Sequence, residues 1–250
     1  MNRQVTSSFL ERVSPLAKLL VAIVWLLGST LTLDPLPPSL LAVVAVAATL
    51  LLGGASPGRL ARLLAVAVPP IVGVVLANVL FSRSNIDPAA IEVARLGPLR
   101  LTAEALDAGI GVGARMAAIV SAGAAFLLTT DTTRFVDALV QQARLPARFA
   151  YGANAAYQAV PNLGRDLGTL RAARRVRGLR VWHPRLLVGL LVRAIRHADQ
   201  LALAMDARGF GAGPRSTYRP MPLTWRDPVV VVLGVAVLVL ALWAGGTLAP

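Results

Sequence analysis

The stretch HPRLLVGLLVRAIRHADQLALAMDARGF, residues 183–210, decides how the rest of the chain is read. Leu186–Leu191 is apolar enough to open a membrane span. Arg185, Arg193, Arg196, Asp199 and Asp206 interrupt the stretch, so no charge-free window reaches the roughly 20 residues a bilayer crossing needs. Leu187, Leu190, Leu191, Ala194, Ala198, Leu201, Ala202 and Met205 recur at helical spacing, which predicts an amphipathic helix outside the lipid. Pro184 stands at a tolerated first helical position, and about 25 residues make a rod about 37 Å long. The rod ends at Ala207-Arg208-Gly209.

Upstream, a second helix is expected from Ala147 to about Arg177, bent near Pro161. It carries Arg171, Arg174, Arg175, Arg177 and Arg180 and ends at Val176-Arg177-Gly178. A third follows the capped start in Leu127-Leu128-Thr129-Thr130-Asp131, sets Phe135, Leu139 and Val140 on one face, and stops before Pro146. A single arginine-glycine ending is ordinary capping, with glycine left-handed and arginine complementing the helix dipole. Two such endings, both in one cationic stretch between spans, ask for more.

Around this stretch the chain is built for a bilayer. Its 250 residues are 56 % hydrophobic with a mean hydropathy of +0.67, above a soluble domain. Leu16–Leu33, Leu36–Gly54, Ala108–Leu128 and Pro228–Gly246 read as spans, and Leu63–Phe81 as another, kinked by Pro69-Pro70. The expected fold is an all-α membrane protein with about five transmembrane helices. Residues 1–129 form the membrane domain (spans about 16–33, 36–54, 63–81 and 108–128). Residues 130–226 form a cytoplasmic domain of about three long amphipathic coupling helices, and 227–250 the final span. The first run is too long, and too mixed in its flank, for a removable signal peptide.

Orientation follows from basic residues in the flanks. The amino-terminal side holds 21 of them, including 16 arginines between Thr130 and Asp227; the other side holds Arg83, Arg95 and Arg100. The amino terminus is therefore expected in the cytoplasm of a bacterial or archaeal cell and the carboxyl terminus outside. On the outer side Leu99-Arg100-Leu101-Thr102 alternates and suggests a short strand or hairpin.

Composition also excludes. The net charge of +13 lies beside spans, where topology and anionic lipid account for it, so a nucleic-acid partner is not expected. There is no cysteine, and His183 and His197 stand alone, so no catalytic, cofactor or metal site is expected. No Gly-x-x-x-x-Gly-Lys-[Ser/Thr] loop is present, so no ATP hydrolysis is expected of this chain. Gly109-Ile110-Gly111-Val112-Gly113 reads as close helix packing inside a span. Arg115, inside the same span, reads as burial against another span or as an interhelix contact that positions the coupling region.

These motifs are similar to those of the transmembrane T component of energy-coupling factor (ECF) transporters, the family that includes the cobalt-transport permeases. Ser14-Pro15-Leu16-Ala17-Lys18-Leu19 resembles that family's Asp/Asn-Pro-x-x-Lys-Leu entry to the first span. Leu128-Thr129-Thr130 resembles its exit from the fourth span, and Leu145-Pro146 its Leu-Pro turn. Ala204-Met205-Asp206-Ala207-Arg208-Gly209-Phe210 resembles its second Ala-Arg-Gly signature, and Arg215-Ser216-Thr217 a basic element before the final span. Val176 departs from the pattern, standing where the family has alanine.

The resemblance implies an energy-coupling subunit that is not an enzyme and holds no cofactor. Val176, Arg177, Gly178, Ala207, Arg208 and Gly209 would engage two ABC ATPase subunits, with Arg174, Arg215, Lys18 and Arg115 in support. A small membrane S component would bind the vitamin, vitamin precursor or metal ion to be imported. The alternatives are the permease of a conventional ABC importer, whose Glu-Ala-Ala…Gly loop is missing here, and a membrane scaffold or anchor without transport activity.

Overall fold

The computed structural model describes residues 8–32, 34–86, 90–96, 99–210 and 219–248. Most of them are helical. The helices are α1 (Phe9–Arg12), α2 (Pro15–Thr30), α3 (Leu36–Leu51), α4 (Pro57–Leu80), α5 (Ala103–Thr129), α6 (Thr132–Gln141), α7 (Ala147–Val176), α8 (Arg185–Ala207) and α9 (Arg226–Leu248). The fold is all-α apart from the short hairpin expected at Leu99–Thr102. β1 (Glu92–Leu96) and β2 (Leu99–Thr102) pair antiparallel, and Arg100 meets Glu92 across the hairpin at 3.1 Å.

Three stretches among the described residues are long and apolar enough to cross a membrane: Pro57–Asn85, Ala103–Thr129 and Arg226–Thr247. α2 and α3 have 16 residues each and are shorter than the expected 16–33 and 36–54. At 1.5 Å per residue they reach about 24 Å, against a hydrocarbon core of about 30 Å. Local chemistry ends them early. Ser29 and Thr30 donate back to the carbonyls of Leu26 and Leu27, a pattern that competes with the helix. After α3, Gly54 takes a φ of +58°, which stops the chain from continuing helically. α4 begins six residues before the expected Leu63. Its exposed Arg59 and Arg62 break an apolar count without breaking a helix.

The residues fall into two compact units, 1–135 with 222–250, and 136–221. In the first, a core of Trp25, Leu41, Ala45, Ala118, Ala122, Leu238 and Ala241 joins α2, α3, α5 and α9. The Trp25 indole donates to the Gly234 carbonyl at 2.8 Å, so the one polar atom of that ring is satisfied inside the bundle. α4 lies on α5, where Gly109 and Gly113 face Val79 and Val75: a Cβ on either glycine would come within 2.5 or 2.7 Å of those valine methyls. The glycine-rich run therefore serves close packing. The second unit is built on α7 packed against α8, with Leu186 buried and Arg193 paired to Asp166 at 3.1 Å.

Candidate functional site

The two arginine-glycine endings have the same backbone. At the end of α7 the Gly178 N–H reaches the Arg175 carbonyl at 3.0 Å, and the Leu179 N–H reaches the Arg174 carbonyl at 3.0 Å. At the end of α8 the Gly209 N–H reaches Asp206 at 2.8 Å, and the Phe210 N–H reaches Met205 at 2.9 Å. Gly178 and Gly209 have φ of +67° and +68°, the left-handed conformation that this doubly bonded helix stop requires. A Cβ at either position would meet nothing within 4 Å, so backbone conformation and not crowding calls for glycine there.

Each stop places its arginine at the C-cap, with φ −84° at Arg177 and −90° at Arg208. Both arginines are exposed, and neither guanidinium is bonded to any other described residue. Ala207 is exposed, and Val176 is 89 % exposed, so the valine that stands where the family has alanine is not packed among the described residues. Arg174 differs from Arg177. Its Nε donates to the Arg180 carbonyl at 2.9 Å and so closes the turn that leaves α7, beside Arg171 stacked 4.9 Å over Trp182. Arg215 lies outside the described residues.

The apolar stripe expected on α8 is covered in part: Leu187, Leu191, Ala198 and Ala202 are exposed, while Leu190, Ala194 and Met205 are half-buried. Val188 and Leu203, outside that stripe, are also exposed. On α7, Phe149 and Tyr157 are exposed as well, whereas the Tyr151 hydroxyl donates to buried Asp137 at 2.9 Å. Burial first and that hydrogen bond second raise the Tyr151 pKa above its ordinary value, so it remains a neutral donor at physiological pH.

Within the membrane unit, Lys18 and Arg115 each make a specific tie. Buried Lys18 donates through Nζ to the Thr129 carbonyl at 2.8 Å and approaches its hydroxyl at 3.4 Å. Two sequence motifs 111 residues apart, Ser14–Leu19 and Leu128–Thr130, thus become neighbours. Arg115 donates to the Thr32 carbonyl at 2.8 Å and anchors α5 to the turn after α2.

Two members of the Lys18 surroundings escape sequence reasoning. Asp227 accepts from the Ser14 N–H and the Thr224 N–H, each at 2.7 Å, and so joins the starts of α2 and α9. Arg134 donates to the Glu11 carbonyl. Thr224-Trp225-Arg226-Asp227 ahead of an apolar run has the spelling of a capping box, a local signal for Asp227 that the reading of the sequence did not use. Among the described residues no cluster of His, Cys, Asp and Glu could hold a metal.

Residues 6–218 match the cobalt transport protein family. The chain belongs to that family. Among relatives of this cobalt-transport-family chain is the energy-coupling factor transporter transmembrane protein of Heliobacterium modesticaldum, 31 % identical over 60 % of this chain and 63 % of the relative. The match therefore spans a little over three fifths of that relative's length. The protein of the same name from Lactococcus lactis subsp. cremoris is 25 % identical over 95 % of this chain and 94 % of its own. A putative ABC transporter ATP-binding protein of Bifidobacterium longum is 27 % identical over 54 % of this chain, and over 20 % of its own length. The membership agrees with the resemblance carried by Ser14–Leu19, Leu128–Thr130 and Ala204–Phe210.

Proposed function

We propose that this chain is the energy-coupling transmembrane subunit of an ECF-type importer, taking up a vitamin, a vitamin precursor or a metal ion. The observation that carries the proposal is the pair of identical helix stops, each presenting an unengaged arginine. A guanidinium offers a fixed fork of donors that matches a carboxylate two bonds at a time, which suits end-on docking into a partner. Two ABC ATPase subunits are the partners of Arg177 and Arg208. A relative named as an ATP-binding protein, with a fifth of its length similar to this chain, supports ATPases as neighbours.

In this reading the five apolar helices α2, α3, α4, α5 and α9 all cross the cytoplasmic membrane, α2 and α3 through a locally thinned bilayer. The arginine-rich segments face the cytoplasm, as the count of flanking charges favours. Closure of the ATPases on ATP moves the ends of α7 and α8, whose 30 and 23 residues act as levers. The exposed apolar patch of Leu187, Val188 and Leu191 on α8 receives the substrate-binding S component. The chain itself hydrolyses nothing.

The test is tandem purification of the tagged chain from its native membrane. Two nucleotide-binding subunits and a small membrane protein are expected to co-purify. A chain that comes away alone under conditions that keep it folded overturns the proposal.

A further inference from the structure

The four core helices of the membrane unit do not close completely. Between α2, α3, α5 and α9 lies an apolar slot of about 330 Å³, at the lower end of the size of small-molecule sites. It begins at Lys18, Thr129 and Phe9 and continues past Phe126 to Trp25 and Val237. From Lys18 to Trp25 is seven residues of α2, so the slot penetrates about 10 Å into the helix bundle. Its wall is almost wholly hydrocarbon, and its polar atoms sit at one end.

That end is cationic. Lys18 lines it directly. Arg226 stands 5.9 Å over the ring of Phe9, which lines the same mouth, and Arg134 reaches the carbonyl of Glu11 two residues further on. None of the three forms an ion pair with a described carboxylate. The acids nearby are already engaged by backbone amides: Glu11 by Ser8, and Asp227 by Ser14 and Thr224.

We propose that the slot holds one acyl chain of an anionic glycerophospholipid, drawn from the leaflet on this face, with its phosphate at Lys18 and Arg226. The chain fills the hydrocarbon wall, and the phosphate supplies the counter-charge that no described carboxylate gives this cationic end. The bound lipid is then a structural part of the bundle, wedged between α2, α3, α5 and α9. This requires only that the apolar helices lie in a bilayer; it does not depend on the transport role.

The experiment uses the full chain in mild detergent. Native mass spectrometry reads retained lipid, and thermal unfolding reads stabilisation by phosphatidylglycerol, phosphatidylcholine or oleate. Saturable stabilisation by phosphatidylglycerol, well above that by the other two, is expected. Ala48→Phe and Ala125→Leu, which fill the slot, are expected to lose the retained lipid without lowering Tm in detergent alone. Arg226→Gln is expected to weaken phosphatidylglycerol about fivefold, the effect of one cation near an anionic surface. Equal stabilisation by phosphatidylcholine or by oleate overturns the proposal, since it shows chain filling or a free fatty acid instead. Should both filling variants fail to fold, Arg226→Gln decides: unchanged phosphatidylglycerol affinity overturns the site.

Discussion

Gly109 and Gly178 are the same residue used for opposite reasons. At Gly109 there is no room: a Cβ would lie 2.5 Å from Val79, and the helix continues through the position. At Gly178 there is only room, but φ is +67°, which a side chain resists. Gly113 and Gly234 follow the first pattern, against Val75 and Val21, and Gly209 follows the second. Apart from Gly54, which ends α3, the membrane unit uses these glycines to bring helices together. The arginine-rich unit uses glycine to end them in the open, where an outside surface can reach the cap.

Four substitutions set these uses against each other. The largest effect is expected from Arg208→Glu, which reverses an exposed charge whose guanidinium bonds none of the described residues. Its Tm should stay near that of the wild type, while association with the ATPase subunits weakens by about 2–5 kcal/mol, as for loss of a partly desolvated ion pair. A pull-down titration reads it, and undiminished binding would falsify the docking role.

Gly109→Ala should come next and in the other observable. Overpacking α5 against α4 costs about 1–3 kcal/mol, so detergent-solubilised protein should melt earlier, without any specific loss of ATPase affinity per folded molecule. Gly209→Ala should cost about 1 kcal/mol by forcing a side chain into the left-handed region. The loss should be local, seen as faster amide exchange at Gly209 and Phe210 with little change in global melting. Val176→Ala should do least. At 89 % exposure it should shift stability by less than about 0.5 kcal/mol, and a fall in ATPase binding larger than that of Gly209→Ala would show valine to be a contact in its own right.

The sequence displayed these features unevenly, and chain distance explains why. A helix stop is written within six residues, so the positions of Gly178 and Gly209 were readable from Val176-Arg177-Gly178 and Ala207-Arg208-Gly209. The hairpin strand Leu99–Thr102 showed itself by alternation, but its partner Glu92–Leu96 is more mixed and did not. Helix limits were read worst where polar residues and helix continuation part company. Arg59 and Arg62 concealed the start of α4, and the back-bonding of Ser29 and Thr30 ended α2 inside an apolar run. The contacts of Lys18 with Thr129, and of Ser14 with Asp227, span 111 and 213 residues. No local pattern encodes such a pairing, although each partner sits in a motif that stands out by itself.

Asp227 therefore has a meaning for biosynthesis. The start of α2 is fastened by a carboxylate made 213 residues later, and the cavity wall beside Trp25 is supplied partly by Val237 of the same late helix. During translation the early helices are made before the carboxylate and the cavity wall that α9 supplies. Chains interrupted before that point lack both the Asp227 tie to Ser14 and one wall of the cavity.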